Sequence, residues 1–237
     1  MKRNILAVGL GVFALASGIS RGGVLTAYQS SGTLNQVIPN GDVFGFSSSL
    51  NFTEGTNALV SDLSVTLNLS GGYNGDLYAY LVHDNTLGIL LNRVGRTGSD
   101  TFGYGDQGFS VTFSTLNGLD LGTDVHQYQT AGGWQGYLSG GQLTGTGVWA
   151  ADGRTASPLS VTDLSPRTAL LGNFVSNEVV AGEWKLVIAD MVGGGDNSST
   201  LQSWELGLIY NVPEPVSATM LMLGFSGLML WRRRSRE

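Results

Sequence analysis

The sequence predicts an all-β ectodomain, an antiparallel jelly roll or β-sandwich, with an N-terminal signal segment and a C-terminal transmembrane helix. Three observations predict this fold. Apolar and polar residues alternate over short stretches, clusters of Gly, Asn and Asp separate these stretches, and no long stretch of the ectodomain has a 3.6-residue period. Short strands joined by tight turns are typical of antiparallel sandwiches.

The alternation predicts individual strands. Leucine and valine occupy every second position of 63–69, which indicates a half-buried strand, and residues 70–76 form a turn rich in Gly and Asn. Residues 77–82 are apolar on both faces and predict a central strand, and 88–94 predict the next one. Three more segments alternate in the same way: 109–113, 184–188 and 204–210.

Residues 116–166 form a long connection for such a fold. We expect its apolar and aromatic residues to tie it to the sandwich, with additional short strands. Trp134, Tyr137 and Trp149 lie in this connection, and their rings suit either a platform for sugar rings or anchoring in the core. Anchoring is the favoured interpretation.

Composition limits the partners of the ectodomain. The chain has 12 basic and 18 acidic residues; its end segments 1–16 and 212–237 hold six of the basic and two of the acidic ones. The remaining 195 residues, with 6 basic and 16 acidic, carry a net charge of −10. Such a domain repels nucleic acid and anionic lipid but is compatible with cations or neutral polysaccharide. The chain has no cysteine, so disulfides are excluded.

The N-terminus has the organisation of a secretory signal peptide. Lys2 and Arg3 precede the apolar run 5–16, which ends in Ala-Leu-Ala, a small-residue cleavage signal. We predict a signal peptide over residues 1–20; cleavage near Ser20 or Ala27 remains open, as does an uncleaved anchor.

The C-terminus predicts a membrane-spanning helix over residues 216–231. This run has no charge, and as a helix it would be about 24 Å long. That length is short of a bilayer core, but snorkelling arginines and local thinning can compensate. A buried core helix is the alternative, although such a helix would show a polar stripe. Arginines after the run would hold this end in the cytoplasm: Arg232, Arg233, Arg234 and Arg236.

The same segment resembles the PEP-CTERM sorting signal of Gram-negative bacteria. The resemblance rests on the motif Val212-Pro213-Glu214-Pro215, the short apolar span and the terminal arginines, over residues 212–237. It implies transient contact with the inner membrane and with exosortase, a membrane-embedded transpeptidase. The expected outcome is cleavage near the motif and export to the cell surface or extracellular matrix.

A second resemblance covers about 61–210 of the predicted ectodomain 21–211. Its segments are similar to the P domain, or Homo B module, that follows the catalytic domain of kexin-like subtilases, which implies a β-sandwich of jelly-roll type. The family's Ser-Pro-x-Gly-Thr turn is replaced by residues 83–88. The matching segments are 74–81, 90–95, 171–174, 182–190 and 201–206.

Catalytic chemistry is not predicted. The only histidines, His83 and His126, are expected to face solvent in loops, and neither has a Gly-x-Ser-x-Gly elbow nearby. A zinc site is not expected from two histidines and no cysteine. The Gly-rich run at 193–195 lacks the Lys-Ser/Thr of a phosphate loop and predicts a hairpin turn.

Calcium is the one cofactor that the sequence suggests. Asp76, Asp190 and Asp196 are the best candidates, because carboxylates in Gly/Asn-rich turns are the oxygen ligands that calcium prefers. No EF-hand loop supports this site, and ordinary turn chemistry, in which Asp bonds its own backbone, is the favoured interpretation.

These observations favour a non-catalytic exported protein with a β-sandwich binding or scaffold module. Its expected partners are exosortase, extracellular polysaccharide or a surface protein, with no nucleic acid. Two alternatives remain open: a P-domain accessory acting in trans with a subtilisin-like serine endopeptidase, and a carbohydrate-binding matrix protein.

Overall fold

The structure, a computed structural model, describes residues 23–194 and 197–212. Every regular element of these residues is a β-strand or a short 3-10 helix, so the all-β prediction is confirmed. The strands are β1 (Val24–Ser30), β2 (Gln36–Val37), β3 (Phe46–Phe52), β4 (Val60–Gly71), β5 (Leu77–His83), β6 (Thr86–Asn92), β7 (Phe109–Leu116), β8 (Leu119–Asp120), β9 (Thr123–Asp124), β10 (Leu138–Ser139), β11 (Gln142–Thr146), β12 (Trp149–Ala150), β13 (Gly182–Asp190) and β14 (Ser199–Asn211). The 3-10 helices are Asn74–Asp76, Val125–Thr130, Trp134–Tyr137 and Leu171–Phe174.

Two sheets form the sandwich. The larger sheet has the order β1-β14-β4-β7-β11-β10, with β2 paired to β14 and β8 to β7. The smaller sheet has the order β3-β13-β5-β6, and β9 and β12 form a separate pair. The strand over 77–82 is therefore central, as predicted, because β5 lies between β13 and β6.

The core lies between the two sheets and follows the sequence alternation. Leu63, Val65, Leu67 and Leu69 of β4 are at most 2% exposed, and their polar neighbours are half-buried. Alternating side chains of a strand point to opposite faces, which explains this pattern. In β5 only one face is fully buried, whereas the sequence suggested that both would be.

A tryptophan on β14 connects the two sheets. The indole N–H of Trp204 donates a hydrogen bond of 2.9 Å to the hydroxyl of Ser48 on β3. Trp204 is fully buried, so this bond satisfies a donor that water cannot reach.

The fold differs from the prediction in its strand count and in strand direction. Strands β1, β2 and β3 were not predicted. Of these, β1 and β3 form edges of the two sheets. The pairs β7–β11 and β9–β12 are parallel, so the fold is not purely antiparallel. Parallel neighbours need a long crossover, and the connection 116–166 provides it. The additional short strands predicted in that connection are confirmed as β8 to β12.

Both ends of the described domain lie at one edge of the larger sheet. Val24 pairs with Asn211, and the amide of Val212 donates to the carbonyl of Gly23 at 3.1 Å. We call the end of the sandwich that holds this pair the proximal pole. Strand β14 runs from there about 40 Å to the opposite end, the distal pole, where Ser199 pairs with Gly71.

Candidate functional site

The candidate site is a cavity at the distal pole. The turn after β4 and the loop after β13 meet here, because β4 ends and β14 begins at this pole. The cavity has a volume of about 410 Å³. Tyr73 and Phe102 line it with side chains that are 45% and 74% exposed, and Asp76 adds a carboxylate.

The structure brings two of the predicted calcium ligands near each other beside this cavity, and Asp76 is the one that lines it. Asp76 ends the 3-10 helix before β5, and Asp190 ends β13, whose last residue pairs with Leu77. Burial, followed by the negative charge of Asp190, raises the pKa of Asp76 from 3.8 to about 6, although Arg93 opposes the shift. Burial also raises the pKa of Asp190. Two partly buried carboxyl groups that repel each other favour the uptake of a positive charge.

The guanidinium of Arg93 already places a positive charge beside Asp76. Arg93 is 3% exposed, and its Nη2 lies 3.9 Å from Oδ1 of Asp76. Its Nε donates to the carbonyl of Gly75 and its Nη2 to that of Thr101, which fixes the side chain. The backbone of Arg93 has φ of 52°, a left-handed conformation that is uncommon for a residue other than glycine.

Turn chemistry accounts for one bond of Asp190. Its Oδ1 accepts the amide of Val192 at 3.0 Å, which is the turn interaction that the sequence favoured. Asp196, the third calcium candidate, lies outside the described residues. Calcium binding by Asp76 and Asp190 therefore stays a prediction.

The expectation that both histidines face solvent is wrong. The side chains of His83 and His126 are 0% exposed. Nδ1 of His126 lies 2.7 Å from a carboxylate oxygen of Asp152, and Nε2 lies 2.9 Å from the carbonyl of Arg96. Both ring nitrogens are thus engaged by buried partners, and neither is open to a substrate.

This histidine belongs to a buried ionic network that the sequence did not reveal. Asp152 also accepts from the amide of Asn92 and from Arg154, and Arg154 makes two bonds to the carboxylate of Asp124. The network connects β6, β9 and the residues after β12. Its members come from three separate parts of the sequence, around residues 92, 124–126 and 152–154, so no local pattern could have identified it.

The aromatic residues of the long connection serve mainly as anchors. Trp149 is 1% exposed, and its ring lies edge-on to those of Tyr128 and Tyr137. Trp134 is half-buried against Tyr128 as well, whereas Tyr137 is 36% exposed. The favoured anchoring interpretation is confirmed for Trp149, and the three rings do not form one exposed platform.

The sorting residues fall almost entirely outside the described part of the chain. Val212 is described, but Pro213, Glu214 and Pro215 are not, and the same holds for the apolar run 216–231 and the signal segment 1–20. The membrane-stop arginines Arg232, Arg233, Arg234 and Arg236 also lie outside it. Within residues 23–194 and 197–212, no helix has the length and apolar character needed to span a bilayer.

Comparisons with solved structures yield remote similarities, among them two structures of one protease. No protein-family model matches the chain, and no curated protein does. A serine protease of Aeromonas sobria aligns at 16% identity and a TM-score of 0.42, over 79% of this chain and 27% of that one. The complex of that protease with a chaperone aligns at 16% identity and a TM-score of 0.41, over 81% of this chain and 28% of that one. The chain thus spans about a quarter of these structures, and a similarity at this level identifies no family.

Proposed function

We propose that this chain is a non-catalytic exported protein that presents a β-sandwich as a binding or scaffold module. A C-terminal PEP-CTERM signal, processed by exosortase, would carry it to the cell surface or extracellular matrix. The distal cavity, with its acidic and aromatic lining, is the surface that the module would offer to a ligand.

The position of the two ends of the described domain is the observation that carries this proposal. Gly23 and Val212 are hydrogen-bonded to each other at the proximal pole. The two ends of the described domain therefore lie at one place on the sandwich. A module attached there would hold its distal pole about 40 Å from the attachment point.

The state of the histidines supports a non-catalytic role. Both ring nitrogens of His126 contact polar partners inside the core, and the buried ring of His83 is stacked on Trp184. A general base has to reach the proton that it abstracts, and a fully buried ring does not.

Processing of the C-terminus tests the proposal. The full chain would be expressed in a Gram-negative host with exosortase and in the same host without it, followed by fractionation and intact-mass analysis. We expect a surface form that has lost the arginine cluster and most of the apolar run, only when exosortase is present. The variant Glu214→Ala in the motif should stay unprocessed. The control Glu205→Ala, which removes a carboxylate from β14 instead, should be processed normally. Retention of Arg234 in the mature surface form would contradict the proposal.

Two other roles can be tested on the same material. The P-domain resemblance over 61–210 and the two-sheet architecture leave room for an accessory that acts in trans with a subtilisin-like serine endopeptidase. The exposed ring of Tyr137 leaves room for carbohydrate binding. Stable co-purification with an endopeptidase favours the first role, and glycan-array binding that Tyr137→Ala abolishes favours the second.

A further inference from the structure

Three potential metal ligands meet at the turn between β5 and β6. His83 ends β5, Asp84 follows it in the two-residue turn, and Glu178 comes from the loop before β13. One ligand atom from each of the three lies within 4.8 Å of the others. The loop is held in place, because the amide of Val60 donates to the carbonyl of Glu178 and the hydroxyl of Thr86 donates to its carboxylate.

The hydrogen bonds of His83 fix which ring nitrogen is free. Nδ1 lies 2.8 Å from the carbonyl oxygen of Glu183, which can only accept, so Nδ1 carries the proton. Nε2 then has a lone pair, and it is buried with no hydrogen-bond partner among the residues that the structure describes. The nearest carboxylate oxygen of Asp84 is 3.9 Å away, beyond hydrogen-bond distance.

An unpartnered lone pair that faces two carboxylates is unfavourable unless a cation lies between them. A histidine whose Nδ1–H donates to a backbone carbonyl while Nε2 points to carboxylates has the orientation of a metal ligand. We propose that His83, Asp84 and Glu178 bind a divalent transition metal ion of the zinc class.

The donor set favours this class over calcium. One imidazole nitrogen and two carboxylate oxygens suit zinc, cobalt or manganese, whereas calcium takes six to eight oxygens. Ligands of a tetrahedral zinc ion are about 3.4 Å apart, so the cluster has to close by about 1 Å. Asp84 can make this movement because its side chain is 69% exposed. Three protein ligands leave a fourth position for water or for a donor from a partner.

The ring itself is held rigidly for this role. Its centroid lies 4.1 Å from that of Trp184, with 3° between the ring planes. Restricting a ligand before the metal arrives reduces the ordering that binding requires. The cluster lies in the turn where this chain departs from the P-domain pattern, and at the proximal pole, so it is separate from the Asp76–Asp190 pair at the distal pole.

Zinc titration of the full, untagged chain, stripped with a chelator, tests the proposal. Calorimetry should show saturable binding of one ion per chain at micromolar concentration. The variants Asp84→Asn and Glu178→Gln should each weaken it at least about tenfold, and His83→Phe, which keeps a stacking ring, should abolish it. Asp76→Asn at the distal pole is the control and should leave zinc affinity unchanged. Cobalt should give a visible absorption band that the Glu178→Gln variant loses.

The proposal fails if no saturable binding occurs at micromolar zinc, or if Asp84→Asn and Glu178→Gln bind zinc as the unaltered chain does. These two carboxylates are exposed or half-buried and their amides keep the same shape, so the test does not depend on how well His83→Phe folds.

Discussion

The imidazole of His83 lies flat against the indole of Trp184, its partner in the pairing of β5 with β13. Phe174 packs on Trp184 with ring centroids 5.2 Å apart. The orientation of His83 is thus set by the core, while its Nε2 points to the proposed metal ligands. The imidazole of His83 thereby connects the packing of the core to the proposed metal site.

Glycine at position 182 is needed for this packing. A methyl group there would lie 2.9 Å from Cε1 of His83, on a backbone with φ of 124°. We expect Gly182→Ala to lower the free energy of unfolding by about 1–3 kcal/mol and to weaken zinc binding. Urea unfolding measures the first effect. Gly98→Ala, where a methyl group meets nothing within 4 Å, should change stability by less than about 0.5 kcal/mol. Equal effects of the two changes would refute this explanation.

The buried ionic network predicts a strong effect at Asp152. Replacing Asp152 with Asn leaves His126 and Arg154 without the carboxylate that they both contact. We expect a loss of about 1–3 kcal/mol, because buried donors lose a carboxylate acceptor while Arg154 keeps its ion pair with Asp124. Thermal or urea unfolding provides the measurement, with Asp163→Asn as a control, because Asp163 contacts Arg154 through its backbone carbonyl and the substitution leaves that bond in place. A loss no greater than that of the control would show that the network contributes little.

The pKa of Asp76 predicts a dependence of stability on pH. Because the folded pKa of about 6 exceeds the ordinary 3.8, folding favours the protonated carboxyl group. The stability that this group contributes is present below pH 3.8 and is lost as the pH rises through 6. Asp76→Asn should therefore melt at a higher temperature than the unaltered chain at pH 7, and the difference should shrink towards pH 4. Melting curves across this range check the sign; a difference that grows on acidification would contradict it.

Calcium binding at the distal pole has its own signature. If Asp76 and Asp190 hold the ion, millimolar calcium should raise the melting temperature at pH 7, since a ligand of the folded state stabilises it. The rise should vanish in Asp190→Asn and persist in Glu178→Gln, whose site is at the other pole. Absence of any rise at millimolar calcium would remove the calcium hypothesis.

The bond between the sheets can be tested at Ser48. Ser48→Ala leaves the indole N–H of Trp204 buried without its acceptor. We expect a loss of about 1–3 kcal/mol in urea unfolding, the penalty of an unsatisfied buried donor. Ser47→Ala, the neighbouring serine of β3, serves as control. No difference between the two variants would indicate that the core rearranges to satisfy the indole.

The fold was largely predictable because its strands have a local signal. Apolar residues at every second position of β4, β7 and β14 indicated both the strands and their buried faces. Strand β3 escaped prediction because Ser47, Ser48 and Ser49 occupy its middle. The parallel pair β7–β11 depends on a distant crossover, and short-range patterns carry no information about it.

The candidate sites were predictable only in part. The sequence suggested Asp76 and Asp190 from their turns, and the pairing of β5 with β13 brings them together. It did not suggest the cluster of His83 with Glu178, because 94 intervening residues separate them and a loop contact joins them. The burial of His126 also depends on tertiary packing, and no sequence motif indicates it.

The placement of Gly23 and Val212, the ends of the described domain, determines how this domain would respond to mechanical load. Tension between Gly23 and Val212 would pull β1 away from β14 sideways and open their hydrogen bonds one after another. Traction on Val212 against a ligand held at the distal pole would instead draw β14 lengthwise between β1 and β4. Many bonds along its 13 residues would then share the load at once. A sandwich that is attached at its proximal pole and binds a ligand at its distal pole is thus loaded along its strands, the direction in which it resists force better.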